Sequence, residues 1–438
     1  MKNSQKRIIM DMSHITSDEF IMSCRNQDER KFIRNRKMPL QILLLSMINR
    51  KGLSLALELR NFMKIVRPGE HISNPGYLKQ RMKLNPDAFC DLYHFHNKNY
   101  YLSGEYNTYN GHLILAVDGS NINLPRTKEN LEVFGTSSRH DSKPQPALGL
   151  SCIYDVMNKI ILESDCNRGK FNEMQCAELQ MNKLPDTIGT IPYIIVMDRG
   201  YPSIPAFIHM NDKNINYLVR IKSCDFKEER RAMLTDDEII AVQMTKSRLH
   251  HYVNTEDGNR MQELSALNIR TVNIKLDENT TETLMTNLPI EQFDTNAIKE
   301  LYHMRWGIET AYETLKSRLQ LENFTGVKPV IILQDIYSTI YVSNIAQDII
   351  QDAEKELDKK ELQHKHKMKI NQTLSIGMLK NDLIYIILEA NPEKKKALFE
   401  NLFDEISQHL VPVRPERHYK RTKGQLAGRY SNTHKRAF

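Results

Sequence analysis

Apolar positions recur every three or four residues over the first hundred residues, then give way to short unbroken apolar runs. That switch divides the chain. The stretch Pro39-Leu40-Gln41-Ile42-Leu43-Leu44-Leu45-Ser46-Met47-Ile48 is an apolar helix with its stop signal at Gly52, and 53–62 is a second helix. Ser73-Asn74-Pro75-Gly76 opens a third, with Ser73 as N-cap and Pro75 in the first turn, followed by Tyr77, Lys79, Gln80, Arg81 and Lys83. Short helices with a basic third member suit a helix-turn-helix reader of DNA, and an ordinary helical bundle almost equally well. The basic flank tips the balance to DNA.

From Gly111 the texture is that of buried strands. His112-Leu113-Ile114-Leu115-Ala116-Val117-Asp118-Gly119 reads as a strand ending in an aspartate and a turn. Segments 147–155 and 159–164 make a hairpin linked near Asn158. A helix over 172–184 follows, and then Pro192-Tyr193-Ile194-Ile195-Val196-Met197-Asp198-Arg199-Gly200, again a strand that ends in aspartate. A helix over 204–211 and a strand over 216–221 complete the order β-β-β-α-β-α-β, a mixed sheet with helices packed on it. Residues 223–290 interrupt the alternation with a polar, charged start and strand-like stretches at 269–276 and 283–288. They read as an insertion with β-strands of its own. Apolar helical segments at 330–352 and 373–390, linked by a charged stretch, close the pattern. The expected organisation is a helical N-terminal DNA-binding region (1–105), an α/β core in two parts (106–222 and 291–352) split by a β-rich insertion (223–290), and a helical C-terminal region with a basic tail (353–438).

Composition adds limits. The 438 residues are 40% hydrophobic and 26% charged, and no run approaches the ~18 apolar residues of a membrane span. The first eleven residues hold no signal-peptide core, so a cytosolic protein is expected. Six cysteines are scattered with no CxxC pair, which supports neither a zinc ribbon nor a redox motif. The net charge is +7, and its distribution says more. From 411 to 438 there are eight basic residues (Arg414, Arg417, Lys420, Arg421, Lys423, Arg429, Lys435 and Arg436) against Glu416 alone, and Lys31, Arg34, Arg36 and Lys37 cluster near the start. Basic ends on a chain of this size point to a polyanion, most simply nucleic acid.

Three carboxylates stand out by position: Asp118 and Asp198 at strand ends, and Glu309 in Leu301-Tyr302-His303-Met304-Arg305-Trp306-Gly307-Ile308-Glu309-Thr310-Ala311-Tyr312-Glu313-Thr314-Leu315-Lys316. On a continuous helix Tyr302, Arg305, Glu309 and Lys316 share one face. That face can hold a metal with its carboxylate and grip phosphates with the rest. Mg²⁺ prefers oxygen ligands and substrate phosphates, and a pair of such ions serves displacement at phosphorus. Each residue alone has a plainer explanation. Asp-Gly is usually a turn, Glu309 can pair with Arg305 at i−4, and Trp306 and Tyr302 are more often packing than recognition. The coincidence of two strand-end acids, a later helical acid and basic partners on its face is what argues for chemistry.

The spacing Tyr302-x₂-Arg305-x₃-Glu309-x₆-Lys316 resembles the Y-R-E-K signature of DDE transposases of the bacterial insertion-sequence-four family. Val117-Asp118-Gly119-Ser120 and Met197-Asp198-Arg199-Gly200-Tyr201 match the places of that family's first two acids, and the resemblance spans roughly 30 to 390. It implies a ribonuclease H-like core with a β-rich insertion between the second aspartate and the glutamate. It further implies Asp118, Asp198 and Glu309 as catalytic metal ligands, with Tyr302, Arg305 and Lys316 on DNA phosphates. The cofactor would be two Mg²⁺ ions, with Mn²⁺ able to substitute. The partner would be double-stranded DNA, as terminal inverted repeats and target, bound by a homodimer in the cytoplasm of a bacterium, at its nucleoid. The activity implied is cut-and-paste transposition: hydrolysis at the element ends, then strand transfer into target DNA. The alternatives are a transposase-derived nuclease that cuts without joining, and a catalytically inert DNA-binding protein. A family hairpin mechanism would need an aromatic stacked on a flipped base; the insertion holds no tryptophan and offers Phe226 and Tyr252.

Overall fold

Six helices come first: α1 (Asn3–His14), α2 (Asp18–Cys24), α3 (Leu40–Ile48), α4 (Leu55–Val66), α5 (Asn74–Arg81) and α6 (Ala88–Leu102). The computed structural model describes residues 1–33, 37–136, 144–277, 280–359 and 366–413. The basic tail from Arg414 to Arg436, together with Arg34 and Arg36, lies outside those residues. The third helix begins as its sequence dictates: the Ser73 hydroxyl accepts from the Gly76 amide, with Pro75 in the first turn. Its basic face is only partly free, because Arg81 is fully buried.

The sheet follows, with β1 (Leu113–Asn123), α7 (Lys128–Phe134), β2 (Ala147–Asp155), β3 (Ile160–Arg168), α8 (Glu173–Ile188), β4 (Tyr193–Met197), α9 (Ile204–Asp212) and β5 (Asn216–Arg220). The strands lie in the order β3-β2-β1-β4-β5. β1 pairs antiparallel with β2, as does β2 with β3, whereas β1, β4 and β5 run parallel. Three antiparallel strands continued by two parallel ones through helical crossovers is the ribonuclease H-like arrangement. Both faces of the sheet are covered, which explains the unbroken apolar runs. Leu113, Leu115 and Val117 pack with Ala177, Met181, Phe207 and Ile208 of α8 and α9, while Ile114 turns to Leu301 and Tyr302 on the other face.

The segment 223–290 does not make a sheet of its own. It contributes α10 (Lys227–Arg231), β6 (Asp237–Gln243), α11 (Lys246–His250), α12 (Glu256–Glu263), β7 (Ala266–Lys275) and β8 (Thr281–Thr286). β8 pairs antiparallel with β5, and β7 and β6 follow outward, so one sheet of eight strands results.

Beyond it lie α13 (Thr295–Met304), α14 (Gly307–Glu313), a π-helical turn (Thr314–Arg318) and α15 (Pro329–Asp358); then β9 (Met368–Ile370), α16 (Gln372–Leu388), α17 (Pro392–Gln408) and β10 (Leu410–Pro412), with β9 and β10 paired. The thirty-residue α15 is a buried spine that packs against α1, α3, α6, α16, α17 and β3. Among the described residues no helix is long and apolar enough to cross a membrane.

Candidate active site

Strand register brings the first two acids together. The parallel pairing of β1 and β4 ends at Val117 opposite Met197. Asp118 and Asp198 each follow one residue later, on neighbouring strands roughly 5 Å apart. Val117 and Met197 both face the α8–α9 side, so strand alternation sends Asp118 to the opposite face, while Asp198 lies just past the end of β4. One sequence expectation needs correcting here: β1 does not end at Asp118. It continues to Asn123 against β2, with Asp118 opposite Cys152. The acid stands where the parallel partner stops while the antiparallel partner goes on.

The third acid arrives on α14. The expected continuous helix is broken: α13 stops at Met304, α14 starts at Gly307, and the chain turns π-helical at Thr314. Gly307 sits at the break, where a Cβ would meet Val156 at 3.2 Å. The four signature residues therefore do not share one straight face. Arg305 is buried and its Nη2 donates to Glu309 Oε1 at 3.0 Å. Tyr302 is also buried, and Lys316 donates through Nζ to Ser120 Oγ at 2.7 Å and to the Asn121 carbonyl at 2.8 Å. The ammonium thus clips the far half of β1 to the π turn. Tyr312, between them, donates to the Asp118 carbonyl at 2.8 Å and to the Leu150 carbonyl at 3.1 Å. Trp306, read from sequence as core, is 42% exposed, because the helix break turns it outward beside Arg305.

Charge couples the acids. Burial raises the Asp118 pKa to about 6, helped by the charges of Asp198 and Glu309; the Gly119 amide and Arg305 act the other way. The side chain is half-buried, and its Oδ1 accepts from the Gly119 amide at 2.8 Å. Asp198 Oδ1 accepts from the Gly200 amide at 2.7 Å. Burial also lowers the Lys316 pKa, with Glu322 opposing.

A further acid and a phenol at this site escaped the sequence reading. Glu173, in the first turn of α8, comes up under the two loops: a Cβ on Gly119 would lie 3.2 Å from Glu173 Oε1, and one on Gly200 would lie 3.8 Å from Glu173 Oε2 and 3.0 Å from Asp198 Oδ1. A side chain at 119 would make the carboxylate give way by a few tenths of an ångström, whereas at 200 its contact with Glu173 would be an ordinary one. Burial and then the Asp198 charge push the Glu173 pKa up. Tyr201 is buried, and its phenol is pushed up by burial, then by Glu173, Asp118 and Asp198. An acid in a first helical turn is ordinary compensation of the helix dipole, so nothing in sequence singled out Glu173. Tyr201 stood three residues from Asp198 and could have been found by that proximity.

Beside the acids, Arg199, Arg220, Lys222 and Arg230 line a cleft of 430 Å³ with Glu282 and Thr283. Arg220 pairs with Glu282 at 2.9 Å. The cleft is walled by β5 and β8, so the insertion supplies part of the approach to the acids.

The donor set is wholly oxygen, with no histidine or thiol among the acids, and suits a hard divalent cation. Among the described residues, no three acid, histidine or cysteine side chains are gathered closely enough to chelate an ion as they stand.

Residues 109–345, from the start of β1 into α15, match the family model described as a transposase DDE domain. The transposase InsG of insertion sequence element IS4 from Escherichia coli is 20% identical over 435 residues, covering 96% of this chain and 92% of that protein. The putative transposase InsL of element IS186A from the same species is 31% identical over a shorter stretch of 68 residues, 16% of this chain and 18% of that one. Among solved structures, the piggyBac transposase synaptic complex with hairpin DNA aligns over 90% of this chain and 84% of its own, at 11% identity and a TM-score of 0.46. The family implies a divalent metal ion and a DNA partner. With the family's domain spanning both aspartates and the glutamate, the chain belongs to the DDE transposases of the insertion-sequence-four family, enzymes that cut and move DNA.

Proposed function

We propose that Asp118, Asp198 and Glu309 are the three acids of this transposase and that they hold two Mg²⁺ ions, with Mn²⁺ as a working substitute. The observation that carries the reading is the β1–β4 register, which sets the two aspartates side by side, with Glu309 near enough for its charge to act on Asp118. When bound, the ions would supply Lewis-acid activation of water or of a 3′-hydroxyl and stabilise the departing oxygen. The protein's own residues bind and orient. Arg305 holds Glu309 in place through its ion pair. Lys316 positions the Ser120–Asn121 end of β1 and stands ready to meet a phosphate. Tyr302 packs behind Arg305 and fixes its plane, 5.9 Å from ring centroid to guanidinium carbon. Arg199, Arg220 and Lys222 line the cleft along which a DNA strand can lie, so binding should weaken steeply with salt.

The same site serves hydrolysis at the ends of the element and strand transfer into target DNA, since both are displacements at phosphorus. The substrate ends are terminal inverted repeats, read by the helical N-terminal region and the basic flanks, and two ends call for a homodimer on DNA. The domain limits follow the sequence boundaries at 105, 222 and 290, with the last moved from 352 to 358 because α15 runs unbroken to Asp358, and the place of action is the nucleoid of a bacterium. The test is a Mg²⁺-dependent assay on DNA that carries the element's own ends. Cleavage followed by joining of pre-cleaved 3′ ends is expected. Cleavage without joining would replace this reading with that of a nuclease.

A further inference from the structure

Glu173 sits where no part of the proposed three-acid mechanism needs it, beside Gly119 and Gly200. Its carboxylate fills the space over Gly119 and reaches the space beside Gly200, where Asp198 Oδ1 also lies. It therefore lies between β1 just past Asp118 and the loop that carries Asp198, approaching from the face of the sheet opposite to α14. No hydrogen bond or ion pair ties Glu173 down among the described residues. A second, independent feature points into the same place. The Tyr201 hydroxyl is buried and has no hydrogen-bond partner among the described residues. A buried phenol left without a partner is costly, and such groups mark an absent water or ion.

We infer that Glu173 is a fourth carboxylate of the divalent-ion site, completing from beneath the sheet what Asp118 and Asp198 begin from above, with the Tyr201 hydroxyl as the donor that fixes it. The inference rests on the reading of Asp118 and Asp198 as metal ligands. Its chemistry is that of the donor set: Mg²⁺ and Mn²⁺ take oxygen ligands, and a fourth negative oxygen raises affinity and fixes the ion's place relative to the strand ends.

The experiment is a Mn²⁺ titration of the full-length protein without DNA, read by the loss of the free-ion electron paramagnetic resonance signal. Wild type, Glu173→Gln, Glu173→Asp, Tyr201→Phe and Asp198→Ala are compared, each checked by circular dichroism. Glu173→Gln is expected to weaken Mn²⁺ binding about tenfold, the effect typical of losing a supporting group at a metal site. Tyr201→Phe should weaken it about threefold and Glu173→Asp should restore part of the loss. Should Asp198→Ala lose the ion while Glu173→Gln binds it as tightly as wild type, the fourth-ligand role is overturned and the three-acid site stands. If Asp198→Ala also binds as wild type does, the reading of the three acids falls instead. A Glu173→Gln protein that fails to fold while Glu173→Asp folds and still binds as wild type would likewise overturn the inference, because it would make the residue structural.

Discussion

The active site and the α15 spine use the same residue types and treat them in opposite ways. On the spine the buried acids Asp335 and Asp348 have cations, and Asp352 takes the Ser4 amide. Asp335 takes Arg81 at 2.9 Å and Arg50 at 3.0 Å, and its Oδ2 accepts from the Thr325 amide at 2.7 Å. Asp348 pairs with Arg7, whose Nε reaches it at 2.8 Å, while Asp11 accepts from Tyr341 at 2.9 Å. At the active site Asp118, Asp198 and Glu173 have no such partner, and Arg305 is committed to Glu309. Asp335 and Asp118 carry opposite shifts, whereas at Asp348 burial outweighs Arg7 and raises the pKa as well. Burial works to raise the Asp335 pKa, but Arg50, Arg81 and Thr325 outweigh it and hold it below the ordinary carboxylate range. Burial raises Asp118 to about 6, and the only nearby cation among its causes is Arg305. Asp335 is neutralised within the fold, whereas Asp118 is left short of positive charge.

That contrast can be broken most severely at the acids themselves. Alanine at Asp118, Asp198 or Glu309 is expected to cost at least about a thousandfold in Mg²⁺-dependent cleavage, on the order of 4 kcal/mol of barrier. DNA binding and the melting curve should be preserved. A variant that cuts normally removes that residue from the site.

On the spine the effect should fall on stability instead. Asp335→Ala leaves Arg81 and Arg50 buried without their acid, and about 3–5 kcal/mol should be lost in denaturant unfolding. A loss below about 1 kcal/mol would show that water reaches the two guanidinium groups.

The pH dependence separates Asp118 from Asp335 by sign. Asp118 has a folded pKa above its ordinary 3.8, so it is more easily kept neutral in the folded protein. Its contribution to stability therefore falls as pH rises from about 4 through about 6. Asp335, held low, contributes stability above the ordinary carboxylate range and loses it as pH falls through its folded pKa. In metal-free buffer at pH 7.5, Asp118→Asn should stabilise the protein by at most about 3 kcal/mol, the gain vanishing near pH 4. An Asp118→Asn gain that does not change with pH would contradict this account of the site.

The smallest effect is expected where the two regimes meet. Lys316 holds the Ser120–Asn121 end of β1. Lys316→Met should lower cleavage about tenfold, roughly 1.4 kcal/mol, with melting little changed. A variant that unfolds would assign the lysine to structure alone.

The sequence by itself determined a good deal here. Apolar runs bounded by Gly and Asp marked β1, β2, β3 and β4, because a strand covered on both faces must be apolar throughout. Ser73 capped α5 as its hydroxyl chemistry requires, and the Tyr302, Arg305, Glu309 and Lys316 spacing carried the family. Tertiary structure decided the rest. It carried β1 past Asp118, since β2 continues to pair where β4 stops. It broke the signature helix at Arg305 and Trp306, turned Trp306 outward, and set β6, β7 and β8 on the edge of the core sheet. It also buried Arg81 against Asp335 and brought Glu173 beneath Gly119. Periodicity reports which face of a segment is apolar, and is blind to which distant segment meets that face. Partners more than a hundred residues apart, such as Lys316 with Ser120 or Asp335 with Arg81, are chosen only when the sheet and the spine close.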